Sequence, residues 1–468
     1  MSKEKTEKLS DKLLYKRKNG YETLAAADLV KVDDFCEGYK KFLNVGKTER
    51  EAVSAAELMA KAAGYKPFKR GDSVKPGDGV YLINHGKAIA VARIGKNTLD
   101  SGAYITAAHV DAPRIDLKPY PLYEDGDMAL MKTHYYGGIR KYQWVALPLE
   151  LHGVIAKADG TVENVSIGSE PEDPVFAVTD LLPHLAKDQN TKPLGTAFTG
   201  ESLNVLVGST PYADEEGDKY KLTAMSILNE RYAMTEADFL SSELSFVPAG
   251  EARDVGLDRS LIGAYGQDDR VCAYSALVAM LDQTEIPEHT SVCILVDKEE
   301  IGSEGISGMQ SEWFDTFMDD LCQAQSVKLR ACYENSVCLS ADVSNAYDPN
   351  FPEVSDKRNN SQINQGAVVV KYTGSGGKGG ANDASAELIA ALRKVFDDAG
   401  ALWQMGELGK VDQGGGGTVA KFMAKRNILT VDVGVPVLSM HAPFEITSKL
   451  DVFMMYKAMK AFYEAESL

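Results

Sequence analysis

From about Leu24 to Ala63 apolar residues recur at helical spacing, with Gly20 before and Gly64 after, which predicts two helices separated near Gly46. The period then shortens. GDGVYLINHGKAIAVARIG and SGAYITAAHVDAP alternate or run apolar between glycines, as strands do, and the second ends in a polar cluster at His109. From about Pro119 to Pro248 turn residues are frequent, pieces such as WVALPLELHGVIA and KLTAMSILNERYAM read as short strands, and no long helical pattern stands out. After Gly256 helix and strand alternate: VCAYSALVAMLDQ reads as helix, SVCILVDKEE and SVCLSADVSN as strands, ASAELIAALRKVFDDAG as helix, NILTVDVGVPV as strand. The economical account is an α/β domain split between 1–118 and 251–468, interrupted by a β-rich insertion at 119–250.

Composition narrows this picture. The chain has 468 residues, 44% hydrophobic and 25% charged, which excludes disorder, collagen and coiled coil for the whole chain. At roughly 100–200 residues per domain, two or three domains are expected. The net charge of −18, without a basic stripe, argues against nucleic acid and anionic membranes as partners. The six cysteines show no CxxC spacing, and neither a signal-peptide core nor an 18-residue apolar run is present, so a cytoplasmic protein is expected. GSGGKGGAND and DQGGGGT lack the glycine order of phosphate-binding motifs and read as loops that let backbone approach a ligand.

Open α/β sheets bind ligands beyond the carboxyl ends of their strands. Histidines and acids that follow apolar strand-like runs therefore mark the candidate site: His109 and Asp111, Asp268 and Asp269, Glu299 and Glu300, Asp342, and His441. Imidazole with carboxylate suits zinc, and carboxylate also suits manganese. Glu299 and Glu300 come directly after the apolar strand, where like charges are costly unless a cation neutralises them. Asp268, Glu300 and Asp342 with one bridging hydroxide would balance two divalent ions. In an extended segment neighbouring side chains face opposite ways, so one of the two glutamates is expected to bind metal and the other to face the bridging water.

AAHVDAPRIDLKP, YYGGI with PLELHGVI, GQDDRVCAYSAL, VDKEEIGSEG, LSADVSNAYDPN and MHAPFE together resemble the aspartyl aminopeptidase and aminopeptidase I family of dinuclear zinc metallopeptidases, in its bacterial-type aminopeptidase I branch. The resemblance runs in the expected order over nearly the whole chain. It implies an α/β dinuclear-metal exopeptidase catalytic domain interrupted by a β-rich dimerisation domain, with dimers assembling into a dodecamer. It also implies that His109 and Asp342 hold one ion, that Glu300 and His441 hold the other, and that Asp268 bridges them. The ions would be zinc, with cobalt or manganese as alternatives. Asp111 would orient His109 from behind, and Glu299 would be the general base that moves a proton from water to the leaving amine. Asp269 is expected to fix a turn and is not counted among the ligands. The substrate implied is a peptide with a free N-terminus.

Competing readings are weaker. No GxSxG elbow is present and no cysteine has an evident histidine partner, against a serine or cysteine hydrolase. The insertion argues against other reactions on a dinuclear scaffold, and a non-catalytic assembly protein would be expected to have lost Glu299 or a ligand. In the aspartyl branch histidines stand where this chain has Asn345 and Asp348, and another where it has Asp188, after the PHLA segment. Neutral or apolar N-terminal residues are therefore expected over acidic ones, with acidic specificity as the alternative. Lys371, Lys378, Gly416 and Gly417 lie in segments that line the family's site, without an assigned role. His85, His134, His152 and His289 are expected to be structural, with His184 the candidate exception.

Overall fold

The computed structural model describes residues 8–213 and 216–468. Helices Ala26–Val45 and Glu49–Ala62 flank Gly46, as the periodicity predicts. Thr48 starts the second by a reciprocal cap: its hydroxyl accepts from the Glu51 N–H, and its own N–H donates to the Glu51 carboxylate at 2.9 Å.

A nine-stranded mixed sheet forms the centre, with Ala103–His109 parallel to both Thr290–Val296 and Val337–Ala341, and the latter parallel to Leu429–Gly434. These strands carry β-branched and small apolar residues on both faces because both faces are covered. Cys293 and Leu295 pack toward helices Gln267–Leu281 and Lys449–Glu464, while Val292, Ile294 and Val296 pack toward Trp313–Ala324. Parallel alignment brings His109, the Thr290–Val296 terminus and Ala341 to one edge.

A second, antiparallel sheet of six strands runs in the order Val162–Ile167, Leu149–Ala156, Ser242–Pro248, Arg114–Asp125, Met128–Tyr136, Val205–Gly208. Its core includes Trp144, Leu151, Leu203 and Phe246. The first of these strands begins at Arg114, ahead of the expected 119. One expectation fails here: KLTAMSILNERYAM is not a strand, because Lys219–Tyr232 is an α-helix. Tyr220, Ala224, Leu228 and Tyr232 form a single i, i+4 row against the sheet, and the Glu124 carboxylate accepts the Tyr220 and Lys221 N–H groups at its start. A third sheet, Arg253–Val255, Leu261–Ala264, Glu445–Ser448, Pro436–Leu438 and Ser344–Asn345, lies along the chain segments that carry the site. The whole is a mixed α/β fold.

Candidate metal centre

Five segments deliver the candidate residues to one place. His109 ends its strand, Asp342 follows Ala341, and Asp268 sits at the distorted start of helix Gln267–Leu281. His441 follows Pro436–Leu438 in the left-handed conformation, with φ of 64°. Glu299 and Glu300 are not in an extended segment, contrary to the alternation argument. They open a 3₁₀ turn, Glu299–Ile301, entered through Lys298 at φ of 71°. Its cause is Asp111, whose two carboxylate oxygens accept the N–H groups of Glu299 and Glu300, each at 3.2 Å. The turn therefore sets where the two glutamates point.

Asp268 is the hub: Oδ1 lies 3.1 Å from His109 Nε2, and Oδ2 lies 3.1 Å from His441 Nε2. His441 Nε2 is also 3.5 Å from Glu300 Oε2. Donor atoms of His109, Glu299 and Asp342 come within 4.8 Å of one another, as do those of His109, Asp268 and Glu300. Both imidazoles turn Nδ1 away from the centre. His109 Nδ1–H donates to the Asp111 carbonyl at 3.0 Å, with the Asp111 carboxylate at 3.3 Å, and His441 Nδ1–H donates to the Gly138 carbonyl at 3.0 Å. These acceptors fix the tautomer that leaves Nε2 free for a metal.

Electrostatics point the same way. Burial pushes Glu299 up to about 7, and burial with the neighbouring Asp268 charge drives Glu300 well above the usual carboxylate range. Asp342 is raised by burial and by Glu299. Asp268 is held low against its burial because both imidazoles bond it, and His441 is raised to about 10 by the same contact although burial opposes this. Glu300 Oε1 is buried without a hydrogen-bond partner among the described residues. Two imidazole Nε2 atoms and several crowded carboxylates, one with an unsatisfied oxygen, fit divalent cations.

Two residues that sequence reasoning missed complete the site. Tyr136 donates its hydroxyl to Asp111 Oδ2 at 2.7 Å. Glu445, fully buried, accepts the His441 N–H at 2.7 Å and the Asp268 N–H at 3.1 Å; burial and Asp268 push its carboxyl up to about 8. Both lay inside quoted pieces, YYGGI and MHAPFE, but their contacts are made through space to other elements. Asp269 is buried behind the hub beside Cys272, and burial raises its carboxyl far above its usual range.

Beside the cluster opens a cavity of about 320 Å³, lined by Asp268, Glu299, Asp342 and His441 together with Val343, Val370, Tyr372, Lys378, Glu407, Leu408, Val411, Met440 and Gly414 to Gly417. Lys371 and Lys378 share Asp383, at 2.7 and 3.2 Å, and Lys378 lies 3.7 Å from the Tyr372 ring centroid. Asp348 instead accepts the Asn350 N–H in a turn, and His184 and Asp188 are exposed in another part of the chain. His152 is buried between Glu51 and Glu150, and His289 stacks on Tyr104.

A family model described as aminopeptidase I zinc metalloprotease (M18) matches residues 42–463. A probable M18 family aminopeptidase 1 of Clostridium acetobutylicum is 48% identical over 459 residues, covering 96% of this chain and 98% of that protein. The crystal structure of the M18 family aminopeptidase from Thermotoga maritima superposes with a TM-score of 0.92 at 43% identity, over 96% of this chain and 99% of that one. That of aminopeptidase I from Clostridium acetobutylicum gives 0.91 at 43% identity, over 97% and 100%. Fold and site thus define a metallohydrolase with a metal cofactor. The chain belongs to the M18 family of zinc aminopeptidases and is a metallo-aminopeptidase, a hydrolase acting on peptide bonds.

Proposed function

We propose that the chain removes single N-terminal residues from peptides at a centre for two divalent ions, zinc first and cobalt or manganese as alternatives. His109 and Asp342 would hold one ion and Glu300 and His441 the other, with Asp268 shared between them; the observation that carries this is Asp268 giving a different oxygen to each imidazole. Bound there, the ions would acidify the attacking water and polarise the scissile carbonyl. Glu299, raised to about 7 and on the cavity wall, takes the proton of the attacking water and passes it to the leaving amine. Asp111 holds the turn that aims Glu299 and fixes the His109 ring.

Neutral or apolar N-terminal side chains are favoured. Val343, Val370, Leu408, Val411 and Met440 give the cavity an apolar wall, Glu407 and Asp412 would repel an acidic side chain, and Lys378 is occupied by Asp383. Acidic specificity is the second reading, since Lys378 and Lys410 also stand on that wall. The division into a catalytic unit, 1–118 with 251–468, and a dimerisation unit, 119–250, is supported by the separate six-stranded sheet and its own core. Assembly with further copies, expected to run through dimers to a dodecamer, would cover the exposed Leu181, Leu182, Leu185 and Leu194. A cytoplasmic location is supported by six free cysteines.

The test is hydrolysis of unblocked Leu, Met, Ala, Lys, Asp and Glu reporters by metal-free protein with zinc, cobalt or manganese restored. Metal-dependent cleavage with Leu, Met or Ala ahead of Asp and Glu is expected; a preference for Asp or Glu would establish the second reading. Silence with every reporter and short peptide would refute this reading of the site.

A further inference from the structure

We propose that Tyr136–Gly138, the last residue of a strand of the six-stranded sheet and the two glycines after it, positions the catalytic turn of the α/β unit, with Tyr136 as the positioning residue. The inference rests on the reading of Glu299 as general base.

Asp111 is the anchor of the turn that carries Glu299 and Glu300, and three donors converge on its buried carboxylate: two backbone N–H groups and the Tyr136 hydroxyl. The two N–H bonds, at 3.2 Å, are at the long end of their range, and the tyrosine bond at 2.7 Å has the ordinary O–H···O length. Tyr136 Oη holds Oδ2 while the His109 ring stands 3.3 Å from Oδ1, so the hydroxyl helps set where the carboxylate stands, and the turn follows the carboxylate. The phenol is itself held. Arg114 pairs with Tyr136 across the sheet and places its guanidinium 4.1 Å from the ring centroid, and that guanidinium is fastened to Glu49 at 3.1 Å and Asp116 at 2.8 Å.

The two following glycines bring the same strand end against the metal ligands. Gly137 has φ of 76°, and a Cβ there would stand 3.3 Å from Glu300 Cβ and 3.4 Å from its Oε2. A Cβ on Gly138 would stand 3.2 Å from His441 Nδ1, the atom its carbonyl already receives. A side chain at Gly137 would need a left-handed backbone and would press on Glu300, and one at Gly138 would crowd the His441 ring. Tyr136, which ends a strand of the second sheet, and the two glycines that follow it thus act on Glu299 through Asp111, confine Glu300, and orient His441. The six-stranded sheet shapes the reacting centre of its own chain, independently of any role in assembly.

The experiment is Tyr136→Phe in the full chain, assayed at saturating zinc beside Glu299→Gln. The substitution keeps the ring under Arg114 and removes only the hydroxyl. A fall in kcat of roughly 10- to 100-fold is expected, as for other partners one shell behind a metal site. KM should stay within about twofold, since substrate contacts are untouched, and Tm within about 2 °C. Wild-type kcat would overturn the proposal, as would a fall in kcat matched by a fall in Tm, which would make Tyr136 a folding residue. If Glu299→Gln is inactive while Tyr136→Phe is normal, this inference alone fails; if Glu299→Gln retains full turnover, the assignment of the base fails with it.

Discussion

Glu445→Gln measures how much of the metal site resides in residues that never touch an ion. Glu445 grips two of the proposed ligands by their backbones: Oε1 accepts the His441 N–H at 2.7 Å and Oε2 the Asp268 N–H at 3.1 Å. The gripped residues stand on different elements, the loop after Pro436–Leu438 and the start of Gln267–Leu281. Glutamine has the same shape but one acceptor oxygen, so its amide N–H₂ must face one of the two donors. Leaving a buried N–H without its acceptor costs about 1–3 kcal/mol. At about 1.36 kcal/mol per decade, that is roughly 10- to 100-fold in metal affinity. The cost falls on the metal-bound state because an ion demands that Asp268 and His441 keep one geometry, whereas the metal-free segments can relax to find another acceptor. The assay is zinc Kd by competition with a chelator of known affinity, with the Tm of the metal-free protein as control. A Kd within about twofold of wild type would refute the reasoning, as would a fall in metal-free Tm with Kd unchanged.

Glu299→Gln is expected to fold and to keep its metal while losing roughly 10²–10⁴-fold in kcat, checked by metal analysis and steady-state kinetics. His441→Ala should retain one ion per chain where two are expected for the wild type, measured by elemental analysis after dialysis against limiting zinc. Zinc binding should release protons: partner carboxylates raise His109 and His441, the latter to about 10, so both rings are protonated in the metal-free protein at neutral pH, while a metal takes neutral imidazole. Apparent affinity therefore rises with pH up to about 10. The stability that His441 contributes to the metal-free fold is complete below its unfolded value of 6.5 and is lost as pH rises through about 10. Titration calorimetry in buffers of different ionisation heat should show this release, and identical heats would refute it.

Much of the candidate cluster was legible because its residues share one local signature, an apolar run that ends in His, Asp or Glu. His109, Asp342 and Glu300 could be picked out in this way, and parallel strand alignment then brings such ends together. The path of the chain at Glu299 was not legible, since the turn depends on a left-handed Lys298 and on acceptors supplied by Asp111, neither of which leaves a periodicity. Tyr136 and Glu445 escaped for a related reason: each acts on backbone N–H groups or on another residue across a sheet, and spacing along one element carries no trace of such contacts. Helix Lys219–Tyr232 was misread because only Leu228 in it is buried, so its apolar face is shallow and competes poorly with the strand-like pieces around it.

The way this site handles its charge bears on why it takes cations. Among the described residues, none of Asp111, Asp268, Glu299, Glu300 and Asp342 forms an ion pair with lysine or arginine, and the two imidazoles pair with Asp111, Asp268 and Glu300. Two residues outside the ligand set, Asp111 and Glu445, are anchored by backbone N–H groups. A backbone donor fixes position without bringing a full positive charge, so the ligands are held in place while their negative charge stays uncompensated. A lysine or arginine at the same points would position the carboxylates equally well, but would lower their affinity for a divalent ion by neutralising them in advance. Without metal the cluster can relieve its repulsion only by binding protons, which is why Glu299, Glu300 and Asp342 are all raised together. Metal and protons therefore compete for one set of oxygens, and the same anchoring that makes the metal-free centre electrostatically costly preorganises it for divalent ions.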